Sequence, residues 1–355
     1  MKKDTHKFAY EWMLKDAKFT KDKGKVFSCF SCGGGSTMGY KLAGFDVIGC
    51  NEIDPKMMGA YIANHNPKFS FLEPIQTFKD RTDLPAELYD LDILDGSPPC
   101  SSFSMAGNRD KDWGKEKKFR EGQADQVLDT LFFDFIELAE KLQPKVVIAE
   151  NVKGLLLGDA RDYLWRIMEA FNEAGYYVGH KLLNASHMGV PQRRERVFFY
   201  AIRKDLYKGE FLDLFQTEPR LDLEFDEAPI LYGEIEESID GSNLSPLDGE
   251  LWEKRLKTDN DLGEISERER GVLSRFSAKI IHAEHVAKTI LGSDMNVLYN
   301  QKRTMSDSEL CKCGTYPLDY DFQKNKPSYL IGMSVPPVMT AQVASRVFEQ
   351  WISKL

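Results

Sequence analysis

Val26-Phe27-Ser28-Cys29-Phe30-Ser31-Cys32-Gly33-Gly34-Gly35-Ser36-Thr37-Met38-Gly39-Tyr40-Lys41-Leu42 is the stretch on which the fold turns. Val26 to Phe30 is short, apolar and β-prone, Cys32 to Ser36 breaks it, and Thr37 to Leu42 can start a helix. A strand, a glycine turn and a helix in that order bring backbone N–H groups at a helix N-terminus close to a ligand. The same rhythm continues outward. Asp46 to Cys50 reads as a second buried strand, and Pro55 to Asn64 as a helix with Asp54 at its N-cap. Leu91 to Leu94 is a third strand, Val127 to Leu142 a strong helix, Lys145 to Ala149 a fourth strand, and Ala160 to Ala174 a further helix. Continuous apolar strands alternating with helices predict an α/β fold, a parallel sheet with helices on both faces. Tyr176 to Leu183 and Arg196 to Ile202, joined by a turn-rich stretch, can supply an antiparallel edge.

Alternation stops near Lys204. Beyond it lie turn clusters such as Asp240-Gly241-Ser242-Asn243, and the last helix, Pro337 to Ser353, has Val338, Val343, Val347, Phe348, Trp351 and Ile352 at helical spacing. That helix, with the N-terminal stretch Phe8 to Leu14, is expected to return to the first domain. The domain reading is therefore residues 1–209, a smaller irregular domain over 210–305, and a returning segment over 306–355. The 355 residues suit two unequal domains, and 42% hydrophobic and 12% aromatic content rule out global disorder. The chain has no apolar run of about 18 residues, which excludes a helical membrane span. The N-terminus never develops an apolar signal core, so a cytoplasmic protein with reduced cysteines is expected. The formal net charge of −9 argues against a surface coated for nucleic acid, but the charge is segregated. Glu210 to Glu264 holds seventeen acidic residues against four basic ones, whereas Arg270, Arg275, Lys279, Lys288, Lys302 and Arg303 dominate the stretch that follows.

Four clusters can carry chemistry. Asn51-Glu52-Ile53-Asp54 ends the second strand, where an acid can hold ribose hydroxyls. The turn lacks the G-x-G-x-x-G spacing, so an adenosine-type ligand suits it better than a dinucleotide. Asp95-Gly96-Ser97-Pro98-Pro99-Cys100 follows the third strand, and two prolines present the Cys100 thiol rigidly at the ligand-binding edge. Glu150-Asn151-Val152 ends the fourth strand, where a half-buried glutamate can hydrogen-bond a substrate ring or donate a proton. In Gln192-Arg193-Arg194-Glu195-Arg196, the alternate positions of Arg194 and Arg196 predict one shared face. They could hold a phosphate, a ring oxygen or Glu150 itself. Cys29-x-x-Cys32 with Cys311-x-Cys313, or His282-x-x-His285, is a poor case for zinc, because the pairs are far apart and Cys29 lies inside a strand, so no metal is expected.

In this order, these motifs resemble the cytosine-C5 DNA methyltransferases over nearly the whole chain. The resemblance is carried by Phe30, Gly34-Gly35, Asn51-Glu52, Ser97-Pro98-Pro99-Cys100, Glu150-Asn151-Val152, Gln192-Arg193-Arg194-Glu195-Arg196 and Gly332-Met333-Ser334-Val335-Pro336-Pro337. It implies a Rossmann-like, S-adenosylmethionine-dependent catalytic sheet and a target-recognition domain over 210–305, whose basic part faces duplex DNA. By resemblance, Cys100 attacks C6 of a flipped-out cytosine, Glu150 binds N3 and the exocyclic amine, Arg196 sits at O2, and Arg194 supports that site. Glu52 binds the cofactor ribose and Phe30 meets the adenine, with Gly34, Gly35, Ser36, Ile53, Ile75, Ser97, Leu131, Ser334 and Val335 completing the cofactor set. The polar stretch Ser101 to Gln126 would be the closing loop, while Trp252 and Tyr299 could wedge or stack but suit core packing better. A monomer suffices for one flipped base, and a cognate restriction endonuclease would be a functional partner only.

Four positions depart from the family pattern. Ser28 stands where the family has aspartate, Cys32 replaces the first glycine of the turn, Pro74 replaces the aspartate that meets the adenine amine, and Met333 replaces asparagine. All four touch the cofactor side, so different or weaker S-adenosylmethionine binding is expected. A tRNA cytosine-C5 methyltransferase and a catalytically silent DNA-binding relative are the rival readings.

Overall fold

The computed structural model describes residues 6–99, 130–158, 160–209, 218–272, 278–292 and 295–355, together with the backbone of 116–117 and 126–127. Cys100, Arg275 and nearly all of the Ser101 to Gln126 stretch lie outside the described residues. The chain divides into two compact units that alternate along the sequence. One comprises Lys18–Asn184, Glu195–Glu224 and Thr340–Leu355; the other comprises Met1–Ala17, Ala185–Arg194 and Phe225–Met339.

The first unit is built on a seven-stranded sheet. Its strands are β1 (Lys25–Cys29), β2 (Asp46–Glu52), β3 (Phe69–Leu72), β4 (Ile93–Gly96), β7 (Val146–Val152), β8 (Tyr176–Asn184) and β10 (Glu195–Arg203). Between β4 and β7, β5 (Glu116–Lys117) and β6 (Gln126–Val127) form a two-residue antiparallel ladder. Spatial order in the sheet is β3-β2-β1-β4-β7-β10-β8. The first five strands run parallel, and β10 pairs antiparallel with both β7 and β8. Chain order reverses between β1 and β4. In an open α/β sheet, the crevice at the carboxyl ends beside such a reversal is where ligands bind.

Four helices follow the expected places, α1 (Gly35–Leu42), α2 (Pro55–His65), α4 (Leu131–Leu142) and α5 (Ala160–Glu173), and the six-residue α3 (Ile75–Asp80) adds one the sequence reading did not contain. Asp54 caps α2 as anticipated, its Oδ1 accepting from Lys56 N at 2.8 Å with Pro55 in the first turn. Phe27, Leu94, Phe132, Phe135, Val147 and Phe199 form the centre of a continuous buried core. Two differences from the sequence reading have local causes. α4 begins at Leu131 rather than Val127, because Gln126–Val127 is used as a strand. β3 was not anticipated: it is an edge strand of four residues alternating half-buried and exposed, too short and too mixed to stand out.

In the second unit, α6 (Pro246–Glu253) and α7 (Leu262–Arg270) pack with β11 (Lys279–Ile281) and β13 (Asn296–Leu298), which pair in parallel. Leu251, Trp252, Leu262, Ile265, Ile280 and Val297 form its own small core. The short strand β9 (Gln192–Arg193) pairs in parallel with β12 (Ala287–Lys288) in the same unit. Helices α8 (Asp307–Gly314) and α9 (Pro327–Met333) follow. Capping explains how so polar a sequence keeps helices: Ser245, Asp261 and Ser306 each accept from a backbone N–H of the first turn. The N-terminal segment belongs with this unit rather than with the sheet, as Trp12 Nε1 donates to Thr315 O at 3.0 Å and Asp319 accepts from Leu14 N.

The last helix, α10 (Pro337–Gln350), leads into the tail of the sheet unit, where Phe348 meets Phe45 edge-on at 6.1 Å and Trp351 Nε1 donates to Arg220 O. Among the described residues, no helix is long and apolar enough to cross a membrane.

Candidate active site

The carboxyl ends of β1, β2, β4 and β7 line up at the reversal point. Cys29 pairs with Asn51 and with Gly96, and Gly96 with Ala149. The residues leaving these strands are therefore neighbours: Phe30, Glu52, Ser97 and Glu150.

At the β1–β2 end, the turn after β1 is tightly constrained. Phe30 and Cys32 both adopt positive φ, at 52° and 48°, which is uncommon for residues with side chains. Gly34, at φ 86°, caps α1 in the left-handed region, and a Cβ there would run into the buried imidazole of His65. Burial keeps His65 neutral, and it pulls the neighbouring Lys41 ammonium down to about 8. Glu52 is buried, and its carboxylate accepts three backbone N–H groups: Cys32 at 2.7 Å on Oε2, and Ile53 and Asp54, both at 2.9 Å, on Oε1. Burial raises the carboxyl of Glu52, and the N–H donors oppose that rise. Ser36, Ile53 and Phe30 are partly exposed around the turn, while Gly35, Ile75 and Leu131 are buried. Phe30 packs against Phe135 at 6.4 Å between centroids.

The β4–β7 end carries the other set. Arg196 Nε meets Glu150 Oε1 at 2.7 Å, with both side chains largely shielded. Asn151 ties the two strand ends together, its Nδ2 donating to Pro98 O at 3.1 Å while its Oδ1 accepts from Val152 N. The proline turn that leads to Cys100 is thus anchored to the strand that carries Glu150. Gly96 is required beneath it, because a Cβ would overlap the Phe135 ring. Asp95, unremarked as a functional candidate in the sequence, is buried here. Its Oδ2 accepts from Ser28 Oγ at 2.7 Å and its Oδ1 from Tyr40 OH at 3.1 Å.

Not every candidate converges. Arg194 does not share a face with Arg196. It is buried in the second unit, donating from Nη1 to Ile290 O at 3.1 Å and from Nη2 to Gly332 O at 2.8 Å. The period-two argument fails because Arg194 falls between β9 and β10, which belong to different sheets. Ser334 and Val335 are buried in that second unit too, Ser334 Oγ accepting from Tyr316 OH and donating to Leu330 O. Of the departures, Ser28 donates to Asp95, Cys32 Sγ contacts Met57 Sδ at 3.5 Å, Pro74 precedes α3, and Met333 is exposed. Among the described residues, no three metal-binding side chains converge.

The cations after residue 264 are largely committed internally. Arg303 forms a buried pair with Glu309, Arg270 meets Glu250, and Lys302 meets Glu253. Trp252 is a core residue, its Nε1 donating to Leu298 O at 2.7 Å, and the Arg255 guanidinium lies over both the Trp252 and Tyr299 rings. Arg193, Lys257 and Lys288 differ. They line a cavity of about 520 Å³ with His282, His285 and Asn260, and among the described residues none forms a salt bridge.

A largely shielded glutamate–arginine pair beside a proline turn thus lies across the topological reversal from a strained glycine turn. Residues 24–349 match the family of C-5 cytosine-specific DNA methylases, and the chain belongs to that family. It is 39% identical over 188 residues to the Type II methyltransferase M.FnuDI of Fusobacterium nucleatum, covering 53% of this chain and 49% of that protein. It is 28% identical over 334 residues to the Type II methyltransferase M1.HphI of Haemophilus parahaemolyticus, covering 90% and 85%. A mutant of Spodoptera frugiperda DNMT2 shares the fold, with a TM-score of 0.61 at 16% identity over 92% of this chain and 98% of that one. The chain spans half or less of the length of M.FnuDI and two other curated relatives that it matches, 49%, 49% and 34%.

Proposed function

We propose that this chain transfers a methyl group from S-adenosylmethionine to C5 of a cytosine swung out of duplex DNA. The observation that carries the reading is the Glu150–Arg196 pair at 2.7 Å, held one residue beyond the Gly96–Ala149 register that leads into Ser97 and on toward Cys100. One edge of cytosine presents the exocyclic amine, N3 and O2 in a row. A carboxyl beside a guanidinium matches that edge, the acid serving N3 and the amine and Arg196 donating to O2.

The Cys100 thiolate adds to C6, forming an S–C6 bond and sending the ring electrons toward C5. Glu150 holds a proton at N3, which offsets the charge gathering in the ring. The methyl carbon would reach C5 as its bond to the cofactor's sulfonium breaks, the electron pair staying on the sulfur as a neutral thioether. Loss of the C5 proton to a base and cleavage of the S–C6 bond restore the aromatic ring and the thiolate. Extruding the base costs a few kcal/mol, offset by contacts in the pocket.

The residues at the β1–β2 end suit the cofactor. The turn at Gly34 opens the N-terminus of α1, Phe30 is a partly exposed aromatic for the adenine, and Glu52 keeps acceptor capacity on Oε2 for a ribose hydroxyl. Gly35, Ser36, Ile53, Ile75, Ser97 and Leu131 surround it. When bound, S-adenosylmethionine supplies an electrophilic methyl on a sulfonium. We assign residues 1–209 to catalysis, 210–305 to target recognition and 306–355 to the returning segment. Arg193, Lys257 and Lys288 are the cations offered to DNA phosphates.

Bisulfite sequencing of plasmid DNA from cells expressing the wild type and Cys100→Ala tests the reading. C5-methylcytosine at one short motif, absent in the variant, is the expected result. Folded wild-type protein that leaves DNA unmethylated, and captures no 5-fluorocytosine duplex, would overturn it.

A further inference from the structure

We propose that Asp95 is an acidic group of the cofactor end of this site, supplying the countercharge to the cationic methionine end of S-adenosylmethionine. The inference rests on the methyl-transfer reading above.

Asp95 sits next to last in β4, opposite Ser28 of β1 and Ile148 of β7, beside the reversal of strand order. It is only 4% exposed. Its hydrogen bonds come from two neutral hydroxyls, Ser28 Oγ and Tyr40 OH. Among the described residues, the titratable groups that face it are Cys29 of β1, Tyr40 of α1, Tyr61 of α2 and Glu150 of β7, and none of them is a cation. Two hydroxyl donors do not offset the burial of a full charge, and the carboxyl is pushed up to about 7, chiefly by burial, against the pull of Ser28 and Tyr40 and with a further push from Glu150.

A carboxyl serving packing alone would be replaceable by an apolar residue of similar size at no loss. A carboxyl whose charge is incompletely matched, at the crevice where an α/β sheet takes its ligand, suits a positively charged ligand. S-adenosylmethionine brings a sulfonium and an ammonium. The position of Ser28 strengthens the argument. Ser28 of β1 lies directly opposite Asp95 of β4, one hydrogen bond away, so the carboxyl bridges the two strands that flank the reversal.

The proton balance is explicit. Below pH 7 the Asp95 carboxyl is mostly protonated; binding the cation favours the carboxylate, and the proton leaves to buffer. Cofactor affinity therefore rises with pH by about tenfold in all between about pH 5 and 8, and is flat on either side.

Calorimetry on the full chain at pH 6, in two buffers of different ionisation enthalpy, counts that proton. S-adenosylmethionine should release about 0.4 proton, and adenosine, which lacks the methionine end, none. Asp95→Asn should abolish the release, weaken S-adenosylmethionine about tenfold at pH 8 and leave adenosine unchanged. The double exchange S28D/D95S should restore affinity to within about threefold of wild type, and it serves as well if Asp95→Asn fails to fold. Wild-type binding without proton release, or an Asp95→Asn variant that binds as tightly as wild type at pH 8, would overturn the Asp95 assignment alone. A folded wild type that binds neither S-adenosylmethionine nor adenosine would bring down the methyl-transfer reading with it.

Discussion

Arg194 and Arg196 stand two residues apart and do opposite things. Arg194 is buried in the second unit, two of its nitrogens spent on the carbonyls of Ile290 and Gly332. Arg196 lies in the sheet unit with its Nε on the Glu150 carboxylate, in a place where a planar substrate could share the same donors. A guanidinium aimed at backbone carbonyls holds the chain together; one aimed at a half-shielded carboxylate can be lent to a ligand. The sequence QRRER contains both and does not distinguish them.

The contrast can be broken by experiment. Arg196→Ala should lower kcat/KM for DNA methylation about 10³-fold, the scale of losing one preorganised donor, with cooperative unfolding kept at a cost of about 1–3 kcal/mol for the Glu150 carboxylate left without its partner. Comparable activity in the variant would remove Arg196 from the chemistry.

The acid side sharpens the same comparison, since Glu150 has a cation beside it and Asp95, among the described residues, has the hydroxyls of Ser28 and Tyr40. Asp95 has a folded value of about 7 against an ordinary 3.8, so the folded state holds that proton more tightly than the unfolded chain. Its contribution to stability is complete below about pH 4 and is lost as pH rises to 7, by up to about 4 kcal/mol. Urea melts between pH 5 and 8 should therefore show a downward slope that Asp95→Asn flattens; equal slopes in the two proteins would refute this.

The smallest of the three effects belongs to Arg194. Arg194→Met should cost about 3 kcal/mol of unfolding free energy by leaving buried carbonyls without their donors. The folded fraction should keep kcat/KM within about threefold of wild type. A normal melt with a collapsed rate would reverse the roles of the two arginines.

Much of the sheet was legible because its signals are local. The apolar run, the glycine turn and the Asp54 cap each occupy a few consecutive residues, and they define β1, α1 and α2 in place. Glu150 and Arg196 were legible for a related reason: each ends or opens a buried strand, and β7 and β10 pair directly. What remained hidden depends on partners far along the chain. The Ser28–Asp95 bond joins residues 67 apart, and nothing in either neighbourhood announces it. Nor does the basic stretch beyond residue 264 announce that Arg303 is buried against Glu309 while Lys288 lines a cavity. Alternation failed at Arg194 because period two holds only inside one unbroken strand, and the chain changes sheets there.

The short ladder of β9 with β12 has a consequence for modularity. Residues Ala185–Arg194 leave the sheet unit, join the second unit through two paired residues, and return at Glu195. The second unit is therefore not a single cassette in the gene. A chimaera that transplants only the contiguous part, Phe225–Met339, leaves behind the strand that pairs with Ala287–Lys288 and the arginine that grips Ile290 and Gly332. Exchanging this unit between relatives requires three separate grafts, because Met1–Ala17 and the ten residues Ala185–Arg194 must travel with the larger piece.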